Sequence, residues 1–73
     1  MNIKINKHLI INLGSKIKDA IYKIDKNELR TLIVIKEKKV VGVLTEGDLM
    51  RAFINGFNPQ NEIDEIIQYN FKY

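Results

Sequence analysis

Apolar positions along this 73-residue chain fall into two kinds of run. Leu9-Ile10-Ile11, Leu32-Ile33-Val34-Ile35 and Val40-Val41-Gly42-Val43-Leu44 are short and continuous, which predicts strands. Ile17, Ala20, Ile21 and Ile24 recur instead at i, i+3, i+4 and i+7, with Lys18, Asp19, Lys23 and Asp25 off the stripe. That spacing predicts a helix from Lys16 to about Lys26, with Ser15 as its N-cap and Asn27 as its stop. Leu49, Met50, Phe53, Ile54 and Phe57 fall within about 140° of a helical wheel. This stripe is broader than one sheet face requires, so one edge can pack on the sheet while the other meets a partner.

The resulting order is strand, helix, strand, strand, helix. Leu32–Ile35 is apolar throughout and suits a strand covered on both faces. The helix between the first two strands implies a parallel crossover. Lys36-Glu37-Lys38-Lys39 lacks the Asn-Gly signal of a two-residue turn, so a longer hairpin turn is expected. Met1–Lys7 alternates crudely and is expected to be a short edge strand or an arm. Residues 56–60, with Gly56, Asn58 and Pro59, read as a linker. Residues 61–67 read as a short helix capped by Asn61, and Tyr69–Tyr73 reads as an element cut short.

Length bounds the chain to one small domain, resident in residues 1–57, with 58–73 as linker and further helix. A domain of this size buries only roughly 60% of its unfolded surface and needs a staple or a partner. There is no cysteine, and a lone histidine, His8, cannot make a zinc site by itself. A partner is therefore expected. No apolar run approaches the roughly 20 residues of a membrane span, and no signal-peptide core is visible, so no membrane and a cytoplasmic setting are expected. The net charge of +3 comes from lysines interleaved with apolar residues and acids, which favours a solvated surface over a nucleic-acid patch.

The candidate chemistry lies where the third strand meets the second helix, in Thr45-Glu46-Gly47-Asp48 and Arg51. One reading is a cap: the Thr45 hydroxyl accepts from the N–H three residues on, and Asp48 sits in the first turn. The other is nucleotide binding. One carboxylate can accept from both hydroxyls of a ribose, as acids do in dinucleotide folds. Thr45 and the N–H groups around Gly47 can meet a phosphate. Arg51 is then either a surface ion-pair partner of Asp48 or a phosphate fork. Spacing alone favours the cap.

The two strands followed by Gly42-Val43-Leu44-Thr45-Glu46-Gly47-Asp48 and a helix with a basic residue at Arg51 resemble the second half of a CBS (cystathionine β-synthase) domain. The likeness spans about residues 9–57. Ile33 stands where that family often has proline. The resemblance implies an α+β fold: a β-α-β-β-α unit with a small three-stranded sheet, two helices on one face, and a second unit paired sheet to sheet. It implies an adenosine nucleotide (AMP, ADP or ATP) in the cleft between units. By the same resemblance Asp48 holds the ribose, Thr45 the ribose or phosphate, Val43 lines the base pocket, and surfaces near Leu9 and Thr31 form the other wall. Residues 62–70 resemble the start of a second CBS unit. The run Thr45–Phe57 is similar to CBS units fused to bacterial sugar-nucleotide nucleotidyltransferases.

The leading expectation is a non-catalytic regulatory module that needs no cofactor, pairs as a homodimer through its sheet and the helix Leu49–Phe57, and senses an adenosine nucleotide. The alternative is a structural dimerisation domain with no ligand. An enzyme ranks third, because no nucleophile–base pair is present. DNA binding ranks last, because no helix carries base-reading side chains.

Overall fold

The computed structural model describes residues 7–67, so the arm expected on Met1–Lys7 and the element ending at Tyr73 lie almost wholly outside it. A 3-10 turn at Lys7–Leu9 leads into β1 (Ile10–Asn12). There follow α1 (Ile17–Lys26), β2 (Thr31–Lys36), β3 (Lys39–Thr45) and α2 (Glu46–Ile54). The sheet runs β1-β2-β3, with β1 parallel to β2 and β2 antiparallel to β3. This is the α+β, β-α-β-β-α order that the apolar runs predict.

Strand alternation decides which side becomes the core. Ile11, Leu32, Val34 and Leu44 are buried and join Ile17, Ala20 and Ile24 of α1 and Leu49 of α2 in one cluster. Both helices therefore cover the same sheet face. The other face differs from expectation. Ile10, Ile33 and Val43 stand in one row across the three strands, and Ile33 and Val43 remain 37% and 38% exposed. The apolar run of β2 is thus covered on one face only by its own unit.

The hairpin also departs from expectation. Lys36 pairs with Lys39, leaving Glu37 and Lys38 as a two-residue turn, both at positive φ (53° and 68°). Such a turn matches the twist of the flanking strands, which outweighs the steric cost of two residues lacking the preferred Asn-Gly chemistry. The ladder then slips between Val34 and Ile35, so β3 carries an irregularity at Val41.

Helix α1 begins one residue later than Ser15 would place it, with Lys16 at the cap, whose backbone N–H donates to the Asp19 carboxylate at 3.4 Å. Its first N–H groups are taken up from outside: Ile17 donates to Asn61 O (2.9 Å) and Lys18 to Pro59 O (3.0 Å). Ser15 acts through its carbonyl, accepting from Ile63 N (2.8 Å). Residues 58–67 therefore fold back on the unit. The expected Asn61-capped helix is only a 3-10 turn at Ile63–Glu65, and the Asn61 side chain instead accepts from Asn58 N (2.7 Å). Ile63 and Ile67 are buried in the core cluster, and Gly14 N donates to the Asp64 carboxylate (2.7 Å).

Asn27 ends α1 as expected and does more besides. Its side chain is buried, donates to His8 O and Thr31 O, and accepts from Leu29 N and Arg30 N. One amide thus ties the entry to β1, the end of α1 and the start of β2.

Candidate functional site

The β3–α2 junction is built by reciprocal capping. Thr45 leaves the strand in an extended conformation, and its hydroxyl accepts from Asp48 N at 3.1 Å. The Asp48 carboxylate returns the bond, accepting from Thr45 N at 2.9 Å. Two helix-start N–H groups are thereby satisfied at once. The other carboxylate oxygen of Asp48 accepts from Arg51 Nη2 at 2.6 Å, one turn along. Asp48 is 7% exposed, whereas the Arg51 side chain is 65% exposed. The guanidinium lies over Gly47, where a Cβ would meet Arg51 Nη1 at 3.5 Å, an ordinary contact distance.

Asp48 and Arg51 line a hollow of about 380 Å³ that runs along α2 past Ala52 and Asn55. Its opposite wall is Phe57 and residues 65–67 of the folded-back segment. That volume sits at the lower end of the roughly 300–1,000 Å³ range of small-molecule sites. Thr31 and Thr45 are cross-strand partners and Val43 lies two residues before Thr45 on the outer sheet face, but none of the three lines the hollow. Leu9 stands apart: it lines a second, smaller hollow with Lys26, Asn27, Glu28 and Leu29. Thr45, Asp48 and Arg51 are therefore gathered by direct bonds, Thr31 and Val43 by the ladder, and Leu9 is not joined to them.

The stripe on α2 divides as its breadth implied. Leu49 and Ala52 are buried, while Met50, Phe53 and Ile54 are 61%, 39% and 81% exposed. The helix ends at Ile54, however, so Phe57 reaches the core from the following turn rather than from the helix. A shallow apolar groove of about 210 Å³ between α1 and α2 takes in Ile21, Met50 and Phe53, with the Arg30–Glu46 ion pair (3.7 Å) beside it.

The order of elements and the Thr45–Asp48 junction agree with a sequence match of the CBS domain family to residues 3–55. The chain belongs to the CBS domain family. No curated protein matches it. Among solved structures, it is similar to a cystathionine β-synthase domain protein fused to a Zn-ribbon-like domain, with TM-score 0.74 and 22% identity over 84% of this chain and 90% of that one. It is also similar to a CBS domain structure with TM-score 0.75 and 27% identity, covering 89% of this chain and 53% of that one. A third likeness is to the cytosolic domain of the Mg2+ channel MgtE in complex with ATP, with TM-score 0.67 and 18% identity, covering 89% of this chain and 27% of that one.

CBS domains are regulatory, ligand-binding modules that work in pairs and are not catalysts. In this CBS unit the described hollow depends on Asn55, Phe57, Glu65, Ile66 and Ile67 as much as on the motif. Reading the residues in sequence missed these. Residues 48 and 65 meet only because residues 58–67 fold back, and no local pattern reports that.

Proposed function

We propose that this CBS unit is a regulatory sensor of an adenosine nucleotide (AMP, ADP or ATP), which it binds between itself and a second unit. The observation that carries the proposal is the hollow bounded by Asp48 and Arg51 on α2. It offers a carboxylate for ribose hydroxyls beside a movable guanidinium, and an apolar wall of Ala52, Phe57, Ile66 and Ile67 for a base. The ATP carried by the MgtE relative is consistent with such chemistry in a CBS fold.

The second unit would cover the row Ile10, Ile33 and Val43, the apolar sheet face that one unit leaves open. It is either another copy of this chain, paired through the sheet and the α2 face, or a unit that begins within residues 58–73. Asp48 and Arg51 then meet the ribose and phosphate from within the hollow, while Thr45, Val43, Thr31 and Leu9, which do not line it, would touch the ligand only from the side that the second unit closes. No helix among the described residues is long and apolar enough to cross a membrane. A cytoplasmic protein with a nucleotidyltransferase as the controlled enzyme is the setting we propose. Nucleotide binding would act on that enzyme through unequal affinity for its two states.

Asp48 also favours a second reading. Both of its oxygens are already engaged within the unit, as a purely structural dimerisation domain would have them. Calorimetric titration of AMP, ADP, ATP and S-adenosylmethionine into the chain, with its oligomeric state measured by light scattering, decides between them. Saturable heat that Asp48→Asn removes while the far-UV spectrum is unchanged supports the sensor. A dimer that takes up none of the four supports the structural reading.

A further inference from the structure

The charges around the hollow narrow its ligand, an inference that rests on the nucleotide reading above. Among the described residues lining it, Asp48 and Glu65 are acidic and Arg51 is the cation. Arg51 is already bonded to Asp48, so its charge is balanced before any ligand arrives. The hollow also runs toward Asn55, the C-cap of α2, where a helix carries its partial negative charge. Glu65 stands on the opposite wall, held there by the turn Ile63–Glu65 and by the buried Ile63 and Ile67 on either side of it. Glu65 and the C-terminal end of α2 repel a chain of phosphates, and neither repels a nucleoside.

We infer that Glu65 is a specificity residue of this site, and that the hollow selects an adenosine ligand with at most one phosphate over a di- or triphosphate. The selection is electrostatic and partly solvent-exposed, so it weakens as salt screens it. Its magnitude is several-fold rather than a thousand-fold.

The test is calorimetric titration of adenosine, AMP and ATP into the 73-residue chain at low ionic strength, repeated with Glu65→Gln and with Glu62→Gln. Glu62 is exposed, does not line the hollow, and removes the same unit of charge. The expected result is that adenosine and AMP bind several-fold more tightly than ATP. Glu65→Gln tightens ATP several-fold with adenosine unchanged, and Glu62→Gln changes neither. ATP binding as tightly as AMP to the unmodified chain overturns the inference, as does an equal response of adenosine and ATP to Glu65→Gln. Either of those results leaves the nucleotide sensor standing. Absence of binding by all three ligands overturns both.

Discussion

Replacing Asp48 by alanine removes three interactions whose sizes can be worked separately. The carboxylate bond to Thr45 N belongs to a capping box, and loss of such a cap costs about 1 kcal/mol. The negative charge in the first turn of α2 contributes about 0.5 kcal/mol through the helix dipole. The bond to Arg51 is short, at 2.6 Å, but that side chain is 65% exposed, so solvent screening leaves it about 0.3 kcal/mol. The sum is about 2 kcal/mol for Asp48→Ala. Asp48→Asn keeps an oxygen able to accept from Thr45 N and loses only the charge, about 1 kcal/mol. A domain this small is stable by only about 5 kcal/mol, so both losses are visible in urea unfolding followed by circular dichroism.

Thr45→Ala tests the same account from the other side. It deletes the reciprocal bond to Asp48 N at about 1 kcal/mol. Because the two bonds are made by one closed pair, the double variant should cost at least about 0.5 kcal/mol less than the two single losses added together. Arg51→Ala should cost no more than about 0.5 kcal/mol. Additive losses for Thr45 and Asp48, or an Asp48→Ala variant as stable as the parent, would refute the capping account. In the second case the carboxylate would be free of structural duty.

Four further substitutions, the last read through a pH titration, probe the scaffold. Asn27→Ala deletes four hydrogen bonds around one buried amide and should cost about 2–3 kcal/mol by urea unfolding, more than any surface change. Lys38→Gly relieves a residue held at φ 68° and should stabilise the hairpin by about 1 kcal/mol, read as a melting temperature several degrees higher. Gly47→Ala places a Cβ at ordinary contact distance within α2 and should gain about 0.5–1 kcal/mol in the same unfolding assay, while weakening any ligand that needs the bare backbone there. Desolvation, then the charges of Lys7, Lys23 and Lys26, hold the His8 pKa below its ordinary 6.5. Below that pH the unfolded chain takes up a proton the folded one resists, so stability should fall as pH drops from 7 to 5. His8→Gln should flatten that slope in melting curves taken across the same range.

Much of the fold was legible because apolar spacing reports it directly. The i, i+3, i+4, i+7 stripe located α1 to within a residue, since Ile17, Ala20 and Ile24 face the core. Periodicity does not report what lies beyond the unit. Leu32–Ile35 is apolar throughout, and a strand awaiting a partner has the same composition as one covered by its own helices. The tight turn at Glu37–Lys38 was hidden because strand twist, a property of two paired strands together, overrode local residue preference. Ser15 made a plausible cap until residues 59–61 supplied carbonyls from across the molecule. The junction motif was visible, but the wall formed by residues 65–67 depends on that same long-range return.

The capping box and the sensor do not compete for the same electron pairs. A carboxylate has about four acceptor positions, and Asp48 uses one oxygen for Thr45 N and the other for Arg51. The first bond is fixed by backbone on both sides and orients the group. The second is held by a long, exposed side chain that can leave at little cost. A ribose hydroxyl arriving in the hollow can therefore take the place of Arg51 without unmaking the helix start. The exchange replaces one donor by another, so the carboxylate stays paired throughout. In the proposed sensor the cap is what holds the acceptor in position before the ligand arrives, which lowers the ordering that binding must supply. The guanidinium displaced from Gly47 is then the group whose surroundings change most on binding. That side chain is already 65% exposed, so solvent takes it up at little cost.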